Sequence, residues 1–362
     1  MDIAKLDQNF RTDLQLPGEV VFYDSRQPPF TGYGLYEYRS GAVFRRMPQD
    51  RADAVSPGVG QLCRHTAGGR VRFRTDSKYL VLRAILADCV WMGHMAFLGS
   101  CGFAIYVERE GVPVFCKSVI PAADGHTGAR SRVEGVLSFP DRRLRDITVY
   151  FPLYSGVEEL WFGLQAGASL AEGGRYRYET PVLYYGSSIT QGGCASRPGN
   201  SYEGFISRRL DCDYINLGFS GNGKAEVAMA EYLAELNASV FVMDYDHNAP
   251  DAAYLEQTHE RLYRIYRSKN PAVPVIIVSR PDFSSDPRSA GRRSVILRTW
   301  ENARKRGDQN VYFMDGEQLF QRNDPAGADC TVDGSHPNDL GFFRMAEKIG
   351  AIVEQCLKNG EA

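Results

Sequence analysis

The sequence predicts an all-β sandwich followed by a parallel β-sheet covered by helices on both faces. Two patterns predict this fold class. From about residue 20 to 178, period-two segments are separated by Gly, Pro, Asp and Ser clusters with no convincing helix between them, as in a β-sandwich. After about residue 179, short apolar runs alternate with segments at helical spacing. Such runs are strands buried on both faces of a parallel sheet. With 362 residues the chain exceeds one typical domain, and the change of pattern divides it into 1–178 and 179–362.

In the first part, "GRVRFRT" alternates Val71 and Phe73 with arginines, "GFAIYVERE" puts Phe103, Ile105 and Val107 on one face, and "DITVYFPL" does the same with Ile147, Val149 and Phe151. "AEGGRYRYE" reads as a final hairpin leading out. In the second part the strands are "PVLYYG", "YINLG", "SVFVMD", "PVIIVSR" and "NVYFMDG". "KAEVAMAEYLAEL", "YLEQTHERLYRIYRS" and "GFFRMAEKIGAIVEQCLK" carry apolar residues at helical spacing.

Composition excludes several classes. Apolar residues make up 43%, charged residues 24%, and net charge is −2, so nothing favours nucleic acid or an anionic membrane. "PDRRLRD" and "AGRRS" read as solvated faces. No run of about 18 apolar residues predicts a membrane span, and the N-terminus lacks the basic start and apolar core of a signal peptide. The eight cysteines are scattered without C-x-x-C, which predicts reduced thiols in a cytoplasmic protein, with neither a disulfide frame nor a zinc site. His65, His94, His126 and His259 are isolated. Asp244, Asp246 and His247 lack further spaced ligands for a metal, and Asp244 is expected to end a buried strand with hydrogen bonds to the backbone. No cofactor or metal is expected.

Parallel sheets bind ligands beyond the carboxyl ends of their strands. "GSSITQGG", "NLGFSGNGK" and "DYDHNAP" follow strands, and "DCTVDGSHPND" precedes the last helix. In the first, Ser187 or Ser188 is either a presented nucleophile or a helix cap. In the second, Gly218 to Lys224 fits G-x-x-x-x-G-K, but Ala225 stands where a nucleotide site needs the magnesium-holding hydroxyl. The same loop is a poor nucleophile elbow, because the closing glycine after Ser220 comes one residue late. In the fourth, Asp333 and His336 can lie side by side across a Gly-Ser turn. A serine needs a histidine to take its proton, and the histidine needs a carboxylate to fix its tautomer.

In that order, these four segments resemble the signature blocks of the SGNH hydrolases, the GDSL-type esterases and lipases. The resemblance implies a three-layer α/β/α, flavodoxin-like sheet for residues 181 to about 355. Gly186-Ser187-Ser188-Ile189-Thr190 stands for the G-D-S-[LI]-T-like block and carries over Ser188 as nucleophile, with Ser187 replacing the usual aspartate. Gly221 carries over as a backbone donor to the oxyanion. Asn248 carries over as the side-chain donor, although Asp246-His247-Asn248-Ala249 keeps only the Asn of G-x-N-D. Asp333-Gly334-Ser335-His336 matches D-x-x-H and implies Asp333 and His336 as the rest of the triad. The resemblance also implies that the N–H of Ser188 completes the oxyanion hole. In an extended segment adjacent side chains point to opposite sides, so only one of Asn248 and His247 can face Ser188.

"GSSITQGGCASRPGNSY" and "GFAIYVEREG" are also similar to one branch, in which a jelly-roll-like sandwich with a G-F-D-L-Y-like motif precedes the catalytic domain. Ala104 replaces that motif's aspartate. Relatives in this branch include carbohydrate deacetylases. The implied function is a serine carboxylic-ester hydrolase acting through an acyl-enzyme on a small ester, with an O-acetylated sugar as leading substrate. The alternatives are an acyltransferase with the same triad, or a non-catalytic sugar or nucleotide binder.

Overall fold

The computed structural model describes residues 16, 18–40, 43–89, 91–121, 130–281, 287–320 and 325–361. Residues 1–15 of the stretch read for a leader, and His126, lie outside the described residues.

Two antiparallel sheets form the first part. One has the order β1 (Val20–Asp24), β9 (Val157–Gln165), β4 (Tyr79–Leu86), β7 (Ser131–Ser138). The other has the order β10 (Leu170–Glu172), β3 (Arg70–Thr75), β8 (Arg145–Tyr150), β5 (Phe103–Arg109), β6 (Val112–Val119), with β2 (Thr31–Tyr33) also on β3. Phe73, Phe103, Ile105, Ile147 and Val149 pack against Leu80, Leu82, Leu160 and Phe162 between the sheets, so the predicted period-two faces are the core.

Part of the opposite face of the second sheet, around Arg70, Arg72, Ala104, Tyr106 and Tyr150, is buried as well. Arg70 is 0% exposed. Its guanidinium pairs with Asp213, donates to the Tyr176 hydroxyl at 3.0 Å and the Tyr214 carbonyl at 3.1 Å, and lies 3.9 Å over the Tyr214 ring. Ala104, Tyr106 and Tyr150 form a small cluster on this face, with Arg208 4.6 Å from the Tyr106 ring. Arg70 through Asp213, and Arg72 through Asp211 at 3.9 Å, therefore grip the second part of the chain, while Arg74 pairs with Asp146 inside the sandwich. Asp213→Ala is expected to destabilise the protein by about 3 kcal/mol, because it strands a buried guanidinium. The check is the urea midpoint against wild type, and an unchanged midpoint would count against the pairing.

Two expectations for this part are corrected. Among the described residues of this part three short helices occur, Gln49–Val55, Pro57–Leu62 and Phe97–Cys101. Each is at most two turns long, too short to show a 3.6-residue period, and the second holds two glycines; Ser56 caps it by accepting from Val59 N–H at 3.2 Å. The "AEGGRYRYE" segment is not a hairpin. Leu170–Glu172 pairs with β3, and the chain then passes from the sandwich to the parallel sheet.

Among the described residues the second part contains five parallel strands in the order β12 (Cys212–Gly218), β11 (Tyr178–Gly186), β13 (Val240–Asp244), β14 (Val275–Val278), β15 (Val311–Met314). They coincide with the five apolar runs, and Val182 to Tyr185 are fully buried. Helices Val227–Glu235, Ala252–Lys269 and Pro287–Lys305 cover one face through Met229, Leu255, Leu262 and Ile296. Helices Tyr202–Leu210 and Asp339–Glu361 cover the other through Ile206, Phe342, Met345 and Ile349. Helix, sheet and helix make the three layers. β12 lies to one side of β11 and β13 to the other, so the strand order reverses at β11, and the crevice beyond its carboxyl end is where ligands bind in such sheets. Among the described residues no helix is long and apolar enough to cross a membrane.

Candidate active site

β11 ends at Gly186, a position where nothing larger fits. A Cβ there would lie 1.9 Å from Thr190 Oγ1 and 2.2 Å from the Asp244 carbonyl oxygen. The chain turns at once into the short helix Ser188–Gln191. Ser187 is its N-cap, with a buried hydroxyl accepting from Ile189 N–H at 3.2 Å. Ser188, 8% exposed, points its Oγ at His336, 2.9 Å from Nε2.

His336 sits in a self-supporting turn. Val332 N–H donates to the His336 carbonyl at 3.0 Å. Asp333 Oδ1 accepts the backbone N–H of His336 at 2.7 Å and of Ser335 at 3.0 Å. Its Oδ2 lies 2.7 Å from His336 Nδ1. Partial burial pushes the Asp333 carboxyl up, but the backbone N–H and imidazole of His336, with Ser335 N–H, outweigh it and hold its pKa down at about 2. The carboxylate is thus ionised beside the imidazole.

The Gly218–Gly223 loop spends its N–H groups inward, except that of Gly221. Gly218 N–H goes to Asn216 Oδ1, Phe219 N–H to the Gly186 carbonyl, Ser220 N–H to Gln191 Oε1, and both Asn222 and Gly223 N–H to the Phe219 carbonyl. That leaves no phosphate cradle of the P-loop kind. Gly221, at φ +68°, makes no N–H hydrogen bond among the described residues, and neither does Ser188. Asn248 Nδ2 donates to the Phe219 carbonyl at 2.9 Å and makes no other hydrogen bond among the described residues. A Cβ on Gly223 would lie 3.4 Å from that nitrogen and 2.1 Å from the Gly186 carbonyl oxygen, so Gly223 packs between the amide and the strand end that carries Ser188.

Asp246–Asn248 is a single 3-10 turn, not the extended segment expected. Successive side chains there diverge by about 120°, which still separates His247 from Asn248. His247 Nε2 is enclosed and without a partner among the described residues. Burial, then the charges of Arg280 and His336, hold its pKa well below the usual value. Asp244 ends a buried strand as expected, but its carboxyl is not held by the backbone among the described residues. Its carboxylate takes side-chain hydroxyls, Thr190 Oγ1 at 3.3 Å and Tyr202 at 3.2 Å, and burial with Asp246 nearby pushes its pKa up to about 7.

Sequence reasoning missed the residues that support the loops. Arg46, from the sandwich part, is 2% exposed and donates to the carbonyls of Gly218, Asn216, Leu62 and His65. His65 Nδ1 lies 3.2 Å from Gln191 Nε2, and Gln191 Oε1 holds Ser220 N–H at 2.9 Å. The one available signal was Gln191, three residues after Ser188. His259 is buried against Thr299 and Tyr245, away from these contacts.

Residues 179–354 match the family of GDSL-like lipases and acylhydrolases. Residues 20–170 match the N-terminal part of SGNH-hydrolase-type esterases. No curated protein sequence matches the chain significantly. Among solved structures, a Bacteroides ovatus protein named as a GDSL-like lipase is 28% identical, covers 94% of this chain and 98% of its own, and superposes with a TM-score of 0.82. The salicylyl-acyltransferase SsfX3 of a tetracycline biosynthetic pathway is 19% identical over 93% of this chain and 99% of its own, with a TM-score of 0.73. A family two carbohydrate esterase of Clostridium thermocellum, in complex with cellohexaose, is 14% identical over 81% and 94%, with a TM-score of 0.57. With each half matched to its own part of one esterase architecture, and both halves together overlaying a 28% identical protein, the chain belongs to the SGNH, or GDSL-type, esterases, in the branch with an N-terminal β-sandwich.

Proposed function

We propose that the chain hydrolyses a small carboxylic ester through an acyl-enzyme on Ser188. The observation that carries this reading is the Ser188–His336–Asp333 relay, at 2.9 and 2.7 Å. Ser188 Oγ attacks the acyl carbonyl as His336 Nε2 takes its proton. Asp333 accepts from Nδ1–H and stabilises the imidazolium. The developing oxyanion receives the uncommitted N–H groups of Ser188 and Gly221 and the second N–H of Asn248. His336 then gives its proton to the leaving alkoxide, and water repeats the sequence to release the acid.

The substrate reading is an O-acetylated carbohydrate. Its support is likeness of fold to a cellohexaose-bound carbohydrate esterase, and chemistry is set by the site rather than the fold. Acyl transfer is the second reading, since the acyl-enzyme goes to whatever nucleophile reaches it and the fold is shared with a salicylyl-acyltransferase over 93% of the chain. A fluorophosphonate probe should label wild type and not Ser188→Ala. Folded protein that resists the probe would leave a non-catalytic binder. An ester library, with products analysed with and without added sugar acceptors, then separates hydrolysis from transfer.

Asn248→Ala is expected to lower kcat by roughly 10²–10³ with little change in KM, because its bond tightens only as the oxyanion forms. His247→Ala measured on the same activated ester is the control. A large loss in His247→Ala alone would make the enclosed imidazole the donor.

A further inference from the structure

Two further side chains meet His336 of the serine–histidine pair. His94, Cys194 and His336 each offer one ligand atom, and these atoms lie within 4.8 Å of one another. His94 is exposed, in the loop before helix Phe97–Cys101, and its ring centre is 5.5 Å from that of His336. Cys194 follows the nucleophile helix and is 6% exposed. Its backbone has φ +73°, in the left-handed region that few non-glycine residues occupy, and such outliers cluster at ligand sites. Gly193 runs against the imidazole: a Cβ there would lie 3.5 Å from His336 Cδ2, the atom next to Nε2.

We propose that His94, Cys194 and His336 form an inhibitory Zn²⁺ site that captures the catalytic base. Two imidazole nitrogens and one thiolate are a zinc donor set, with a fourth position left for water. Nδ1 of His336 is already engaged by Asp333 at 2.7 Å. That carboxylate–histidine pairing is the arrangement that orients zinc-binding histidines. The nitrogen left for the metal is Nε2, which otherwise faces Ser188 Oγ at 2.9 Å. Metal and serine therefore compete for one lone pair. Ligand atoms around tetrahedral zinc stand about 3.3–3.8 Å apart, given bonds of about 2.0–2.3 Å, and rotation of the exposed His94 side chain can close the present spacing. On binding, the Cys194 thiol proton goes to solvent and the thiolate sulfur donates its pair to the metal. Ser188 is left protonated with no base.

The inhibitory half rests on the role given to His336 above, while metal binding itself does not. The test uses the full chain stripped by a chelator. ZnCl₂ should slow both hydrolysis of an activated ester and fluorophosphonate labelling of Ser188, and chelator should restore both. His94→Ala and Cys194→Ser should keep the metal-free rate yet need at least about tenfold more Zn²⁺ for half-inhibition, since even the loss of a group supporting a ligand weakens zinc by 10–100-fold. Calorimetric titration of Zn²⁺ into each protein reads the site without using activity. Binding by wild type that weakens in both variants supports the site even if no ester is cleaved. Equal Zn²⁺ sensitivity in all three proteins, or no calorimetric binding by wild type, overturns it.

Discussion

Replacing Ser188 with alanine is expected to lower kcat on an activated ester by roughly 10⁶-fold, the size of loss seen when a serine hydrolase loses its nucleophile. The substitution removes one oxygen, 2.9 Å from His336 Nε2, and leaves Ser187 to cap the helix, so the fold should stand while the acyl-enzyme cannot form. The contrast that makes the result specific is with the neighbouring hydroxyls. Ser187→Ala loses a cap bond at 3.2 Å, worth about 1 kcal/mol of stability, and keeps the nucleophile. Ser220→Ala keeps the N–H held by Gln191. Both should retain a measurable rate. Single-turnover measurements on the three variants decide the matter. If Ser188→Ala stayed active while Ser220→Ala did not, the nucleophile would lie in the Gly218–Gly223 loop instead.

The parallel sheet was legible because burial on both faces writes continuous apolar runs, as at Val182–Tyr185 and Val240–Met243. The sandwich was legible only for its inner face. Val71 and Phe73 announced a core, but nothing local tells Arg70 and Arg72 that their face is covered by residues more than a hundred positions away, such as Asp213 and Tyr214. The supposed hairpin at 171–179 failed for a related reason: a strand's sequence does not name its partner, and Glu172 found Phe73 instead. At the site, the serine, histidine and aspartate candidates were legible because each falls at a strand end or in one short turn. Arg46, His65 and Gln191 were not, because their bonds span up to 172 positions. The sandwich thus buttresses the loops that hold Ser188 and Gly221, and His94 reaches the same crevice from the same part of the chain.

Asp333→Asn should lower kcat by about 10⁴ while leaving the turn intact. The geometry separates the two effects. Asp333 Oδ1 accepts two backbone N–H groups, from His336 and Ser335, and an amide oxygen can accept both. The amide NH₂ then takes the place of Oδ2, 2.7 Å from His336 Nδ1. It can only donate, so Nδ1 must become the acceptor and the ring proton moves to Nε2. That nitrogen then presents a proton to Ser188 Oγ where it should accept one. The wild-type carboxylate avoids this down to strong acid, because its pKa is held at about 2. By linkage, the stability it adds is present above its unfolded value and lost as the pH falls toward 2. Asn is the more informative substitution than Ala, which would also drop both backbone bonds and confuse a lost turn with a lost tautomer. The measurement is kcat alongside the thermal midpoint for Asp333→Asn. A midpoint near wild type with the large rate loss is the expected pair of results. A rate within tenfold of wild type would remove Asp333 from the relay and leave His336 to work with a different partner or none.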